Sequence, residues 1–231
     1  MKQLTAAVIV AAGSSRRMQG ICQDKLLLSI AGIPVLARTL INYQNAHSID
    51  EIYVVTRPEL FETVEGFAKT YGISKFRGCT AGGATRQHSV QNGVALCKTA
   101  HTVAIADGAR PFTKSDDIDR VTLAAKKHGG AVLCVPAKDT VKILSADGFI
   151  DCTPPRSTLM LAQTPQTFRR QEFADLIARS IEENQAVTDD ASIFEIYDKK
   201  VMPVVGNYDN IKITTQEDIA LAETIAGKET L

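Results

Sequence analysis

The run AAVIVAA at residues 6–12 is apolar without interruption. A strand with one wet face alternates apolar and polar side chains, whereas a strand covered on both faces does not. The pattern returns in HTVAIAD at 101–107 and AVLCVPA at 131–137, with EIYVVT at 51–56 as a further strand. Between these runs lie segments of helical periodicity: PVLARTLINYQNA with Pro34 at a predicted N1, ELFETVEGFAKTYG ending at Gly72, TRQHSVQNGVALCK and DDIDRVTLAAKKHGG. Strands that must be hidden on both faces, separated by helices, predict an α/β fold with a doubly wound, mostly parallel sheet. In that class, ligands sit at the carboxyl ends of the strands.

Residues 137–163 break the rhythm. KDTVKILSADGFIDCTPPRS has short runs around Asp147-Gly148, a hairpin signal. A β-hairpin arm leaving an α/β core suits the clasping of a partner subunit. Helices near 169–184 and 189–197 follow, with Thr188 or Asp189 as the second cap. Strand KVMPVVG and helix TQEDIALAETIAG come last. With no repeat or linker, the chain of 231 residues reads as a single domain over 1–231 with an arm around 137–160.

Charge excludes some functions. Lys plus Arg and Asp plus Glu both number 26, so no global field draws the protein to nucleic acid or to a membrane. Any anion site is local. No run reaches the ~20 apolar residues of a membrane helix, and Arg16 and Arg17 stand where a signal peptide would be cleaved. The five scattered cysteines lack a CxxC and the four histidines lack ligand spacing. A cytoplasmic protein without a disulfide framework or zinc site is expected.

The first strand empties into VIVAAGSSRRMQGICQDK, residues 8–25. Ala11, Ala12 and Gly13 let a ligand approach the backbone, and Arg17 and Lys25 bring positive charge. Neither G-x-G-x-x-G nor a P-loop is present, which disfavours a nicotinamide oxidoreductase. A nucleoside triphosphate fits this order of residues, although Arg-Arg pairs are most often solvated surface. In AGGATRQHSVQNG, residues 81–93, Gly82, Gly83 and Ala84 allow contact with a flat base edge and Ser89 can bond an exocyclic group. An ordinary helix cap explains that segment equally well. In VAIADGARPF, Asp107 ends a buried strand, placed to hold Mg²⁺ between one carboxylate and substrate phosphates, with Arg110 beside it. A turn-forming Asp-Gly is the plain alternative. Arg156 and Thr164 flank a short apolar stretch, and Lys212 falls in a strand-like run where edge lysines are common.

Taken in order, AAGSSRRM…K, GGATRQHSV, ADGARPF, PAKDTVK, AQTPQTF, TDDAS and NIKITTQEDIALAE resemble the 2-C-methyl-D-erythritol 4-phosphate cytidylyltransferases from about residue 6 to residue 226. The resemblance implies a nucleotide-diphospho-sugar transferase-like fold, transfer of CMP from CTP to methylerythritol phosphate in non-mevalonate isoprenoid synthesis, Mg²⁺, and a homodimer clasped by a β-arm. It implies Ala11, Ala12 and Gly13 along CTP, with Gly82, Gly83, Ala84 and Ser89 at cytosine. Arg17, Lys25 and Lys212 are the implied catalytic cations, and Asp107 the metal ligand. Arg156 and Thr164 match the acceptor-side motif, with Thr140 and Arg110 contacting acceptor from the neighbouring subunit. Leu26 after Lys25, Ala84 in place of an acidic residue, and Ala106 before Asp107 depart from the commonest pattern. A ribitol 5-phosphate cytidylyltransferase and a non-catalytic nucleotide-binding protein are the alternatives.

Overall fold

A computed structural model of the protein describes residues 3–13 and 24–229. In chain order the strands and helices are β1 (Thr5–Val10), β2 (Ser29–Ile30), β3 (Ile33–Pro34), α1 (Val35–Asn45), β4 (Glu51–Thr56), α2 (Phe61–Thr70), β5 (Phe76–Ala81) and α3 (Arg86–Leu96). Then come β6 (Thr102–Asp107), α4 (Ser115–His128), β7 (Gly130–Pro136), β8 (Ile143–Leu144), β9 (Ile150–Cys152), β10 (Met160–Arg169), α5 (Arg170–Glu182), α6 (Asp190–Ile196), β11 (Met202–Val205) and α7 (Glu217–Glu229).

Seven strands form one sheet in the order β11-β7-β10-β6-β1-β4-β5. β1 pairs in parallel with β4 on one side and β6 on the other, so the winding reverses direction at β1. Only β10 runs against its two neighbours, β6 and β7. The sheet is therefore the mostly parallel, doubly wound one that the apolar runs predict.

The uninterrupted run in β1 serves both faces. Ala7 and Ile9 pack with Leu36, Leu40 and Tyr43 of α1, Val64 of α2 and Ile118 of α4. Ala6 and Val8 point the other way, onto Val90 and Val94 of α3, Phe173 and Ile177 of α5 and Phe194 of α6. Under α5 and α6, Phe168 stacks on Phe173 at 4.7 Å between ring centres and tilts against Phe194 at 4.6 Å. Burial on both sides fixes the register, because a shift by one residue would exchange the two sets of contacts.

Several local expectations need correction. Pro34 is the N-cap of α1 rather than N1, because it also pairs with Ser29 in the small β2–β3 ladder. Lys212 lies in an irregular loop between β11 and α7, not in a strand. The segment holding Thr164 is the ten-residue central strand β10, whose Gln163, Thr164, Gln166 and Thr167 are all buried. Polar residues and a proline argue against a central strand. Here a shift of pairing register between Ala162 and Gln166 accommodates them, and side-chain hydrogen bonds satisfy both glutamines.

The arm is present: β8 and β9 pair antiparallel across a turn in which Gly148 takes φ +88°. Its base is braced by the Ala137 N–H on the Leu159 carbonyl and by the Tyr208 hydroxyl donating to the Pro136 carbonyl at 2.7 Å.

Candidate active site

Three strands deliver the site at their carboxyl ends. β1 leads into Ala11–Gly13, β5 into the Gly82–Thr85 turn before α3, and β6 ends on Asp107. Together with Lys25, Arg86, Ser89, Lys212 and Thr214, the residues Ala11–Gly13, Gly83–Thr85 and Asp107 line a cleft of about 480 Å³. This is the position expected where the winding of a parallel sheet reverses.

Backbone pairing holds the first loop. The Ala11 N–H bonds the Val55 carbonyl at 2.7 Å, and the buried Thr56 hydroxyl donates to the Ala11 carbonyl. Arg57 pairs with the buried Asp24 and lies 3.4 Å from the Gly13 carbonyl, so one side chain ties the two ends between which residues 14–23 run. Across the cleft, a Cβ on Gly82 would sit 2.4 Å from that of Ala12, and one on Gly83 would sit 2.4 Å from that of His88. The absence of a side chain on Gly82 lets the second loop close on the first, and its absence on Gly83 lets that loop turn tightly into α3. The Ser89 hydroxyl accepts from the Gly83 N–H and donates to the Thr85 carbonyl, each at 3.0 Å.

The charge is arranged around Asp107. Its Oδ2 lies 2.9 Å from the Lys212 ammonium and 3.4 Å from Arg110 Nε. Burial pushes this carboxyl up, but Lys212, Arg110 and Arg86 outweigh burial and hold it below the usual carboxylate range. It is therefore ionised, with Oδ1 making no hydrogen bond to the described residues. Lys25 Nζ donates to the Ile213 carbonyl at 2.8 Å, which brings a second ammonium next to the Lys212 segment.

That segment is held by Asn210, which is 1 % exposed. Its side-chain amide donates to Gln163 Oε1 and the Thr164 carbonyl and accepts from the Thr113 hydroxyl. Its carbonyl takes Arg110 Nη1 at 2.7 Å. On the opposite wall, Arg86 grips the buried Asp190 at 2.6 and 2.8 Å through both guanidinium nitrogens. Burial opposes the charge on Arg86, and Asp190 more than offsets it, so the guanidinium is held above its ordinary range. Asp189 caps α6 in a capping box and accepts from Gln166, which also takes the Ala191 N–H.

The residues singled out in the sequence separate into groups. Ala11, Ala12, Gly13, Lys25, Gly83, Ala84, Ser89, Asp107 and Lys212 all line the cleft. Gly82 does not; it packs against Ala12. Thr164 is 4 % exposed, with its hydroxyl accepting the Asp107 N–H at 3.1 Å. Arg110 donates to Asp107 and to the Asn210 carbonyl within its own chain. Thr140 and Arg156 are exposed on the arm, away from the cleft lining, with Arg156 bonded to the Lys138 carbonyl. Arg17 lies outside the described residues.

Sequence reasoning missed Arg57, Asn210 and the pairing of Arg86 with Asp190. Each acts through partners distant in sequence, and no local pattern marks them.

A cleft at the reversal point of a parallel sheet, narrow between backbone loops and edged by ammonium groups around one carboxylate, defines an α/β protein that handles phosphate anions. The family model for 2-C-methyl-D-erythritol 4-phosphate cytidylyltransferase matches residues 5–228. The chain belongs to that family. It is 40 % identical over 231 residues to the protein of that name from Syntrophus aciditrophicus, covering 99 % of this chain and 98 % of the relative. With the same-named protein from Geobacter metallireducens it shares 43 % over 222 residues, 94 % of this chain and 95 % of the other. The crystal structure of 4-diphosphocytidyl-2C-methyl-D-erythritol synthase from Anaerococcus prevotii superposes with a TM-score of 0.87 at 33 % identity, over 97 % of this chain and 96 % of that one.

Proposed function

We propose that the protein transfers CMP from CTP to 2-C-methyl-D-erythritol 4-phosphate, releasing pyrophosphate, as a step of isoprenoid synthesis. The observation that carries this is the grouping of Lys25, Lys212 and Asp107 on a cleft whose far wall is the Gly83–Ser89 loop. Relatives about 40 % identical over the full length carry the methylerythritol phosphate name, which favours that acceptor over a pentitol phosphate.

In this reading an acceptor phosphate oxygen attacks the α-phosphorus of CTP in line. The new O–P bond forms as the bond from the α-phosphorus to the bridging oxygen breaks, and pyrophosphate leaves with the electron pair. The nucleophile is already an anion, so no proton need move. The barrier is the repulsion between two anions, and fixed cations lower it. Lys25 and Lys212, with Arg17 by resemblance, neutralise the phosphate oxygens and the leaving group. Ala11, Ala12 and Gly13 admit the triphosphate to the backbone. The Gly83 and Ala84 backbone and the remaining lone pair of Ser89 suit the edge of cytosine, with Gly82 keeping that loop close.

Asp107 suits a magnesium ion, being an ionised hard oxygen donor with Oδ1 available beside the phosphate site. Such an ion would be held by Asp107 and the substrate phosphates and would supply charge neutralisation.

A homodimer and a cytoplasmic location complete the reading. The arm leaves Phe149 74 % exposed, with Leu144 and Ile150 also exposed, an apolar tip that suits a second copy of the chain. Thr140 on that arm, with Arg110, would then serve acceptor at the neighbour's cleft, and Arg156 and Thr164 would belong to the acceptor side. The test is pyrophosphate release with CTP, Mg²⁺ and methylerythritol 4-phosphate or ribitol 5-phosphate. Release with the first alone is expected; release only with the second would overturn the acceptor, and release with neither would overturn the activity.

A further inference from the structure

The geometry points to a second anion site at the opposite end of the sheet, binding a small polyphosphate such as inorganic pyrophosphate. A cleft of about 630 Å³ opens there, between the start of β6 and the end of β10. It lies about 16 Å along β6 from Asp107, at a rise of ~3.3 Å per residue.

Lys98, His101, Lys126, Arg169 and Arg170 all line this cleft, and Glu172 is its only carboxylate among the described residues. Glu172 is already neutralised, with Lys199 Nζ 3.0 Å from its Oε1. No hydrogen bond or ion pair within the described residues engages the side chains of Lys98, Lys126 or Arg169, and the buried Nε of Arg170 has no partner. In a chain with equal numbers of cations and anions, gathering Lys98, Lys126, Arg169 and Arg170 from three separate segments raises electrostatic energy unless an anion offsets it.

The backbone adds to the same field. The 13-residue α5 begins at this cleft with no side-chain cap from Arg169; the Arg170 N–H is taken by the His101 carbonyl, Glu172 stands in the first turn, and the other N–H groups of that turn add partial positive charge there. Among the described residues no Phe or Tyr ring lines the cleft, so nothing there can stack on a base. The ligand chemistry is therefore compact and multiply charged rather than nucleoside-like. This inference does not depend on the reaction proposed for the first cleft.

The experiment titrates sodium pyrophosphate, without divalent metal, into the full chain carrying Lys25→Ala and Lys212→Ala to weaken binding at the first cleft. Binding is expected to persist and to weaken with rising salt. Adding Lys126→Ala and Arg169→Ala is expected to weaken it by roughly tenfold or more, since each contact is a charged hydrogen bond. Lys98→Glu, at an exposed residue, gives the same readout should that combination fold poorly. Removing a cation elsewhere, by Lys69→Ala, is expected to leave affinity unchanged. Absence of binding in the Lys25→Ala/Lys212→Ala chain, or affinity indifferent to the Lys98, Lys126 and Arg169 substitutions, would overturn the proposal.

Discussion

Lys212 Nζ sits 2.9 Å from Asp107 Oδ2, joining the loop after β11 to the end of β6. The contact ties a candidate metal ligand to a candidate catalytic cation, so neither charge is set independently. Asn210, two residues before Lys212, holds the same loop from below through Gln163 and Thr113.

Replacing Lys212 or Lys25 by Ala is expected to lower kcat by about 10²–10³, the usual cost of losing one preorganised charge contact. Steady-state pyrophosphate release with CTP, Mg²⁺ and methylerythritol phosphate measures it. A change confined to KM would remove these lysines from the transition state.

Asn210→Ala is expected to destabilise the fold by about 3 kcal/mol, because it strands buried groups on Gln163 and Thr113. Urea denaturation reads the stability. Activity should fall further than the fraction unfolded explains, since the Lys212 loop loses its anchor.

Gly82→Ala is expected to cost about 1–3 kcal/mol by overpacking, with the new methyl driven against Ala12. Adding Ala12→Gly vacates that space and should return much of the loss. Additive effects in the double variant would rule out the direct contact.

The lowered pKa of Asp107 sets the sign of one pH effect. Its pairing stabilises the fold fully above the unfolded carboxylate value of about 3.9 and loses that effect as pH falls through the lower folded value. The stability difference between the wild-type chain and Asp107→Asn should be flat from about pH 5 to 8 and shift against wild type below about pH 4. Chemical denaturation across that range gives the difference directly; a shift in favour of wild type at low pH would contradict the assignment.

Phe149→Glu with Ile150→Glu places charge on the exposed apolar tip of the arm. Light scattering is expected to report a monomer where the unaltered chain is a dimer. An unaltered chain that is already monomeric would remove the proposed clasp.

Much of this was legible because it is local. The apolar runs of β1 and β6 declare strands covered on both faces, and with them the parallel sheet and the position of its ligand edge. Lys25, Asp107 and Lys212 stand out through an ordered series of motifs, and the structure gathers all three on one cleft. Asp147-Gly148 announces the arm by its turn chemistry alone.

What the sequence by itself determined, then, was which segments must be buried and which residues carry the charge, because periodicity and side-chain chemistry act over a few residues. Only the tertiary structure decided that polar β10 runs through the middle of the sheet, that Gly82 is small for the sake of Ala12, and that Arg110 turns to its own Asp107. Those outcomes depend on hydrogen bonds and close packing between distant segments. A buried polar side chain is favourable only when its partner has been delivered, and the folded chain is what delivers it.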